Sequence, residues 1–430
     1  MERRAFVKKS SMAASLAFSA LPLSGLASRA KKYKTALIGS GWWGMNILRC
    51  AIAAGESKVV ALCDVDKRHL DSALAEVNKL CDDRPKVFND YRELLQKEKP
   101  EIVIVATPDH WHPLITIDAI KAGAHVYVEK PIGHTIGEGI AMVKAARDNG
   151  KVVQVGLHRH ISPHNISGME FLKSGKVGEI GMVRSFVHYK RGNWKRIPDE
   201  KPPEGLDWDM WCGPAELVPY NPAIHPKGFR YFLNFANGLA GDWGVHWFDQ
   251  ILWWTEEKYP KKVHSTGGRA VRNDNTDAPD HQIISFEFES FTATWEHRLF
   301  GGNPTENHNI GVYFYGTKGV FHMGWMDGWT FYPNDKNKEI IHVDHQLREP
   351  DGQNIPELWT DFLQAIKKGT TPVADIQEGH YATNMSLLGM LSYKLGRSII
   401  WDGSKDIITG DSEANKLLKR AYRAPWQYPS

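Results

Sequence analysis

Three short segments of the chain bring together groups that can move a proton or steady a charge beside a redox centre. In Val126-Tyr127-Val128-Glu129-Lys130-Pro131 an apolar run ends on a carboxylate and an ammonium group. A lysine at such a strand end can polarise a hydroxyl or stabilise an alkoxide; taken alone, it reads as a solvated residue opening a loop. In Asp242-Trp243-Gly244-Val245-His246 a helical register sets Asp242 and His246 four residues apart, on one face. That spacing suits a carboxylate orienting an imidazole, which takes a hydroxyl proton while hydride leaves the same carbon. Asp249 can share the face, and the plain alternative for a histidine among aromatic residues is a satisfied core position. The third segment, Gly39-Ser40-Gly41-Trp42-Trp43-Gly44, follows the apolar run Thr35–Ile38 and opens a helical stretch from Met45. It is answered by Asp64 at the end of Val59–Cys63, twenty residues after Gly44.

Strand, glycine turn, helix and a second strand ending in an acid form the dinucleotide fingerprint. Gly39 permits the tight turn, Gly41 lets the backbone approach the pyrophosphate, and Gly44 allows close helix packing. The helix N-terminus offers donors to the phosphates. Asp64 accepts from ribose hydroxyls and repels a 2′-phosphate, favouring NAD; Lys67 and Arg68, just beyond it, keep NADP as the alternative.

The elements that must position these groups follow from periodicity. Strands at 86–88, 102–106, 124–128 and 152–155 alternate with helices at 67–79, 91–96, 111–122 and 137–149. The strands are unalternating Val and Ile runs, as in a parallel sheet covered on both faces, so the fold class is α/β with a doubly wound N-terminal domain over residues 31–156. Ligands in such sheets lie beyond the carboxyl ends of strands, where Thr107-Pro108-Asp109-His110-Trp111-His112 and Glu129-Lys130-Pro131 both fall. In residues 157–430, Ile283–Phe288 and Phe291–His297 alternate as an antiparallel hairpin, and Pro356–Lys367 and Glu378–Leu395 read as helices. The long stretch 191–235, rich in Pro, Trp and Gly, suits a sugar that stacks on rings and bonds through its hydroxyls; its alternative is a loop covering a sheet edge.

A length of 430 residues with 42% hydrophobic and 24% charged residues describes a folded globular chain of two or three domains. Cys50, Cys63, Cys81 and Cys212 contain no CxxC pair, which excludes a zinc ribbon or a thioredoxin-like motif. The histidines around His158-Arg159-His160 and His110-Trp111-His112 have spacings a transition metal can use, but Arg159 within the cluster opposes a cation, and no metal is expected. Arg3-Arg4-Ala5-Phe6-Val7-Lys8 precedes an uncharged run of about fifteen residues from Met12 to Leu26, the pattern of a twin-arginine export signal over residues 1–30. The run is too short for a stable membrane span, and the expected location is the periplasm of a bacterium. In residues 1–27, four basic residues against Glu2 equal the chain's entire net charge of +3. The remaining body is neutral, which points to neutral sugars and away from nucleic acid.

Together with Gln154-Val155-Gly156, Arg159 and Asp242 to His246, these motifs resemble the glucose-fructose oxidoreductase, inositol dehydrogenase and rhizopine-catabolism (Gfo/Idh/MocA) family over essentially the whole mature chain. The resemblance implies a Rossmann domain followed by an α/β domain on a large open, mostly antiparallel sheet, whose outer face makes homodimers or homotetramers. It implies Lys130, Asp242 and His246 as the catalytic set, with Arg159, His158, Asp242 and His246 at a carbohydrate substrate. The cofactor contacts expected are Gly39, Gly41, Trp42, Trp43, Gly44, Asp64, Thr107, Pro108, His112, Glu129 and Lys130. An exported enzyme cannot exchange NAD with a cytoplasmic pool, so the expected reaction retains its cofactor. The leading expectation is an oxidoreductase acting on a hydroxyl carbon of a sugar, glycoside or polyol. A redox-neutral NAD-dependent glycosidase that transiently oxidises C3 is the alternative, although that group lacks the Glu-Lys-Pro motif. A sugar-binding sensor without turnover is the reading from another class.

Overall fold

Apolar β-branched runs separated by short helices leave little choice but a covered parallel sheet, and the computed structural model, which describes residues 32–189, 195–347 and 353–429, contains one. β1 (Tyr33–Ile38) leads into α1 (Trp42–Ala53), followed by β2 (Ser57–Cys63), α2 (Lys67–Leu80), β3 (Lys86–Phe88), α3 (Tyr91–Glu98) and β4 (Ile102–Val105). α4 (His112–Lys121), β5 (His125–Val128), α5 (Ile136–Asp148) and β6 (Val153–Val155) complete the domain. The six strands pair in parallel in the order β3-β2-β1-β4-β5-β6. Strand order reverses between β1 and β4, which opens a crevice beyond their carboxyl ends. Asp66 and Asp90 cap α2 and α3 by accepting the backbone N–H of Arg68 and Arg92.

The second domain follows β6 with α6 (Pro163–Lys173), β7 (Ile180–His188), α7 (Trp208–Cys212) and α8 (Val245–Trp254). Next come β8 (Lys262–Gly268), β9 (His281–Glu287), β10 (Thr292–Arg298), β11 (Ile310–Gly316), β12 (Gly319–Gly324), β13 (Trp329–Pro333) and β14 (Ile341–Val343). α9 (Ile355–Lys368), α10 (Ile376–Leu395), β15 (Ile399–Asp402) and β16 (Ile407–Ile408) close it. The ten strands run in the order β14-β13-β12-β11-β7-β10-β9-β8-β15-β16, antiparallel except where β10 meets β7. The fold is therefore α/β, a six-stranded parallel sheet followed by a ten-stranded, mostly antiparallel one. Along β9 the pattern alternates, with Gln282, Ile284 and Phe286 buried and Ile283 exposed. The buried face meets the helices: Phe248 of α8 lies edge-on to Phe286 and Trp295, and Gly389 of α10 leaves room for Ile284.

The aromatic rings of the 191–235 stretch are not laid open to a sugar. Trp208, Trp211, Tyr220, Phe229 and Phe235 are buried in a small core of their own, with Trp208 and Trp211 stacked 4.6 Å apart. Apolar area buried among themselves stabilises this long segment as a unit. Residues 1–31, on which the export-signal reading rests, lie outside the described residues, as do 190–194 of this stretch. No described helix is long and apolar enough to cross a membrane.

Candidate active site

The glycine turn sits at the strand-order reversal. Gly39 has φ +91°, and a Cβ there would lie 2.6 Å from the backbone of Ala106 on the neighbouring loop. Gly44 does not face the crevice; a Cβ there would fall 2.0 Å from the Gly39 carbonyl oxygen, so its role is to let α1 close against the turn. Asp64 is pinned at the end of β2, its Oδ2 accepting Ser40 N–H at 2.8 Å and its Oδ1 accepting Asp66 N–H at 2.9 Å. The cations that keep NADP in view are committed elsewhere: Lys67 to Asp71 at 2.5 Å, and Arg68 to both oxygens of Asp66. A tight turn without side chains, a helix N-terminus and a fixed carboxylate at the next strand end fit a dinucleotide with an unphosphorylated ribose.

From this groove a cavity of about 490 Å³ runs on to the second domain. Gly39, Gly41, Trp42, Trp43, Asp64, Thr107, Pro108, His112, Glu129, Lys130, His158, Asp242 and His246 all line it. Lys130 Nζ donates to the Asp242 carbonyl at 2.6 Å and to its carboxylate at 3.0 Å, and Arg230 Nε reaches the same carboxylate oxygen at 3.2 Å. Asp242 does not stand over His246 as a regular helix would have it. It lies on a π-helical turn, Ala240–Gly244, that precedes α8; the wider i to i+5 closure turns the carboxylate towards Lys130 and Arg230. His246 is 5% exposed, its Nδ1 has no partner among the described residues, and its ring packs on His158 at 5.2 Å and Trp325 at 5.0 Å. Burial, then the charge of Lys130, pushes it well below the ordinary histidine value. A neutral imidazole beside an ammonium group can accept a proton from a hydroxyl that the ammonium polarises.

The remaining strand-end and loop residues take their places around this centre. Asp109 and Glu129 are buried at the cavity wall, and burial pushes both carboxyls up to about 7 against the nearby cations. His112 braces the two strand-end loops, its ring nitrogens 2.7 Å from the Pro131 carbonyl and 2.8 Å from that of Thr107. Arg159 lies behind the Trp325 indole and does not face the cavity. Arg230, Tyr231, Trp325 and Gln353 line it, yet belong to loops with no periodic signal. The signal for Asp109 was present, since it stands inside the strand-end motif.

The histidines proposed as alternative metal ligands separate. His110 meets the Trp211 carbonyl, His164 accepts Gln346 N–H, and His160 pairs with Asp249 at 2.8 Å, which removes Asp249 from the His246 face. Asp66, His69 and His225 do bring ligand atoms within 4.8 Å of one another, but Arg68 holds both Asp66 oxygens and His225 donates to one of them at 2.9 Å.

Residues 204–231 close over the end of the groove near Asp64. Lys67 N–H donates to the Gly205 carbonyl and Asp207 N–H to that of Val65, both at 2.9 Å. Farther on, Lys227 Nζ stands 5.2 Å from the Trp42 ring, and His225, Pro226 and Lys227 line the cavity opposite Asp64. The chain end holds this cover down through Arg423, which donates to Gly213 and Asp209, and through Trp426 on Trp111.

The sequence matches two family models end to end: an oxidoreductase family with an NAD-binding Rossmann fold over residues 33–157, and that family's C-terminal alpha/beta domain over 183–428. The chain belongs to the Gfo/Idh/MocA family. Among curated Gfo/Idh/MocA relatives, inositol 2-dehydrogenase of Salmonella paratyphi B is 27% identical over 175 residues, covering 40% of this chain and 50% of its own. A glycosyl hydrolase family 109 protein of Akkermansia muciniphila is 26% identical over 172 residues, 39% of this chain and 36% of its own. The chain thus spans half or less of the curated relatives it matches. Among solved structures, levoglucosan dehydrogenase in complex with NADH and levoglucosan superposes with a TM-score of 0.65 at 17% identity, over 86% of this chain and 99% of the other. The WlbA dehydrogenase of Bordetella pertussis, in complex with NADH and UDP-GlcNAcA, gives 0.64 at 19%, over 86% and 99%. At these identities the structural matches speak for the fold. The Gfo/Idh/MocA first domain binds NAD.

Proposed function

We propose that this chain oxidises a hydroxyl-bearing carbon of a neutral sugar, glycoside or polyol, keeps its NAD between turnovers, and passes the hydride on to a second substrate, a carbonyl compound that is reduced to the alcohol. The observation that carries this reading is one cavity in which Lys130, paired to Asp242, and a neutral His246 meet at the end of a groove roofed by residues 204–231. Gly39, Gly41 and Asp64 would hold the dinucleotide, and its nicotinamide, when bound, accepts the hydride. Lys130 donates to the substrate oxygen and steadies it as charge develops. His246 takes the hydroxyl proton, and Arg230 shares the Asp242 carboxylate so that Lys130 is held in place but not fully neutralised. An export signal at residues 1–30 would carry the folded, loaded enzyme to the periplasm, where the cover keeps the nucleotide from diffusing away. Self-association as a dimer or tetramer would use the outer face of the ten-stranded sheet, which carries exposed Met182, Ile283 and Tyr332.

The glycosidase reading draws support from the family 109 relative. One pair of measurements separates the readings. Denatured pure protein should release NAD, and native protein incubated with simple glycosides and a carbonyl co-substrate in deuterated water should yield a ketosugar without cleavage, with an equal amount of the co-substrate reduced. Deuterium next to C3 together with aglycone release would establish the glycosidase instead, and bound sugar without either product would establish a sensor. Lys130→Ala and His246→Ala should each lower turnover at least about a hundredfold while NAD remains bound.

A further inference from the structure

Arg159 is buried in a way that its charge makes costly. It sits in the short helical turn His158–Ile161 directly after β6 and is 1% exposed. Among the described residues, no acceptor meets its Nε, Nη1 or Nη2. Buried polar groups are almost always satisfied, and a guanidinium carries five donors. What it touches instead is an aromatic face: its Cζ stands 3.6 Å from the Trp325 ring centroid. That indole is a wall of the substrate cavity and meets His246 at 5.0 Å, Trp243 at 4.8 Å and His158 at 5.9 Å. A desolvated cation over an indole face is held by the ring quadrupole. A leucine or methionine would fill the same space without desolvating a charge, so the charge itself needs a reason.

We propose that Arg159 is a positioning residue of the reaction: from behind Trp325 it fixes the indole that walls the substrate space, and its charge, unpaired among the described residues, keeps His246 and His158 unprotonated. This rests on the reading of His246 as the proton acceptor. A histidine that already carries a proton cannot take one from a hydroxyl, so a cation nearby keeps the acceptor empty. Burial brings the guanidinium down to about 9, still charged at neutral pH. His246 is held low first by burial, then by Lys130, His158 and Arg159; for His158 the order is burial, Arg159, Lys130. The charged and titratable groups acting on His246 are Lys130 beyond β5 and His158 and Arg159 after β6, while Asp242 on the preceding π-helical turn is directed to Lys130 and Arg230. Arg230, Asp109 and Glu129 border the same cavity.

Histidine NMR on the NAD-loaded full chain tests this without substrate, with the His246 signal assigned by its loss in His246→Gln. In the parent protein His246 should titrate well below the ordinary histidine midpoint, and a midpoint near 6.5 overturns the proposal whatever the variants do. Arg159→Met keeps the volume and removes the charge, and should raise the proton affinity of His246, while Arg159→Lys, which keeps the charge, should leave it low. An unmoved midpoint in folded Arg159→Met, or an equal rise in Arg159→Lys, also overturns it. Should the methionine variant fail to fold, Arg159→Gln is judged by the same criterion. Protein that releases no NAD on denaturation, or oxidises no sugar, would sink the functional reading and leave the His246 titration intact. An ordinary midpoint in an active enzyme would sink this proposal alone.

Discussion

Asp109 and Glu129 hold their protons to about pH 7 because burial penalises the charged carboxylate more than Lys130 and Arg230 repay it. Each binds its proton more tightly in the folded chain than in the unfolded one. Between the ordinary carboxylate range and about pH 7 the folded state therefore carries more protons, and stability falls as pH rises through that window. Asp109→Asn should remove its share of this fall: Tm against pH from 4 to 8 should be flatter than for the parent, with the variant the more stable of the two at pH 8. Parallel curves would mean that Asp109 ionises in the fold as it does in water. Lys130, Glu129, Asp242 and His246 were legible as chemical groups because each stands in a motif at a strand end or on a helix. Arg230 and Trp325 were not, since a loop residue has no period to betray which way it faces.

Among the elements, the glycine turn and the π-helical turn carry the most consequence. The first was readable: strand, turn and helix each have a local signature, and the close approach of Gly44 to the Gly39 carbonyl follows from the motif. Gly44→Ala should displace the turn and strip the purified protein of NAD, read as nucleotide released per chain on denaturation. Retention at the parent level would show that α1 can shift without cost. The second was not readable. Asp242 and His246 have a regular helical spacing, and nothing local announces that one turn widens and sends the carboxylate to Lys130 on another domain.

Across the whole molecule, the cover formed by residues 204–231 is what the proposed retention of the cofactor depends on. Its small aromatic core, its two backbone links to the β2–α2 loop and the His225–Asp66 pair close the groove from the side of the second domain. His225→Ala removes the latch while leaving the Asp66 cap on α2 intact. Release of NAD from the purified chain, followed after gel filtration, should be about tenfold faster, the consequence of losing roughly one hydrogen bond to a charged group. An unchanged rate would place the barrier to release elsewhere in the groove.

By itself the sequence determined the Rossmann half and its cofactor, and singled out the polar groups to which the chemistry is assigned in the proposal, because strand periodicity, glycine turns and strand-end motifs are local properties of the chain. It also suggested that the aromatic residues between 191 and 235 receive a sugar. Only the tertiary structure decided that those rings bury one another, that Asp242 serves Lys130, and that Arg159 stands behind Trp325. The last two depend on contacts between segments more than a hundred residues apart, and the first on how an aperiodic loop folds back on itself, neither of which any spacing along the chain encodes.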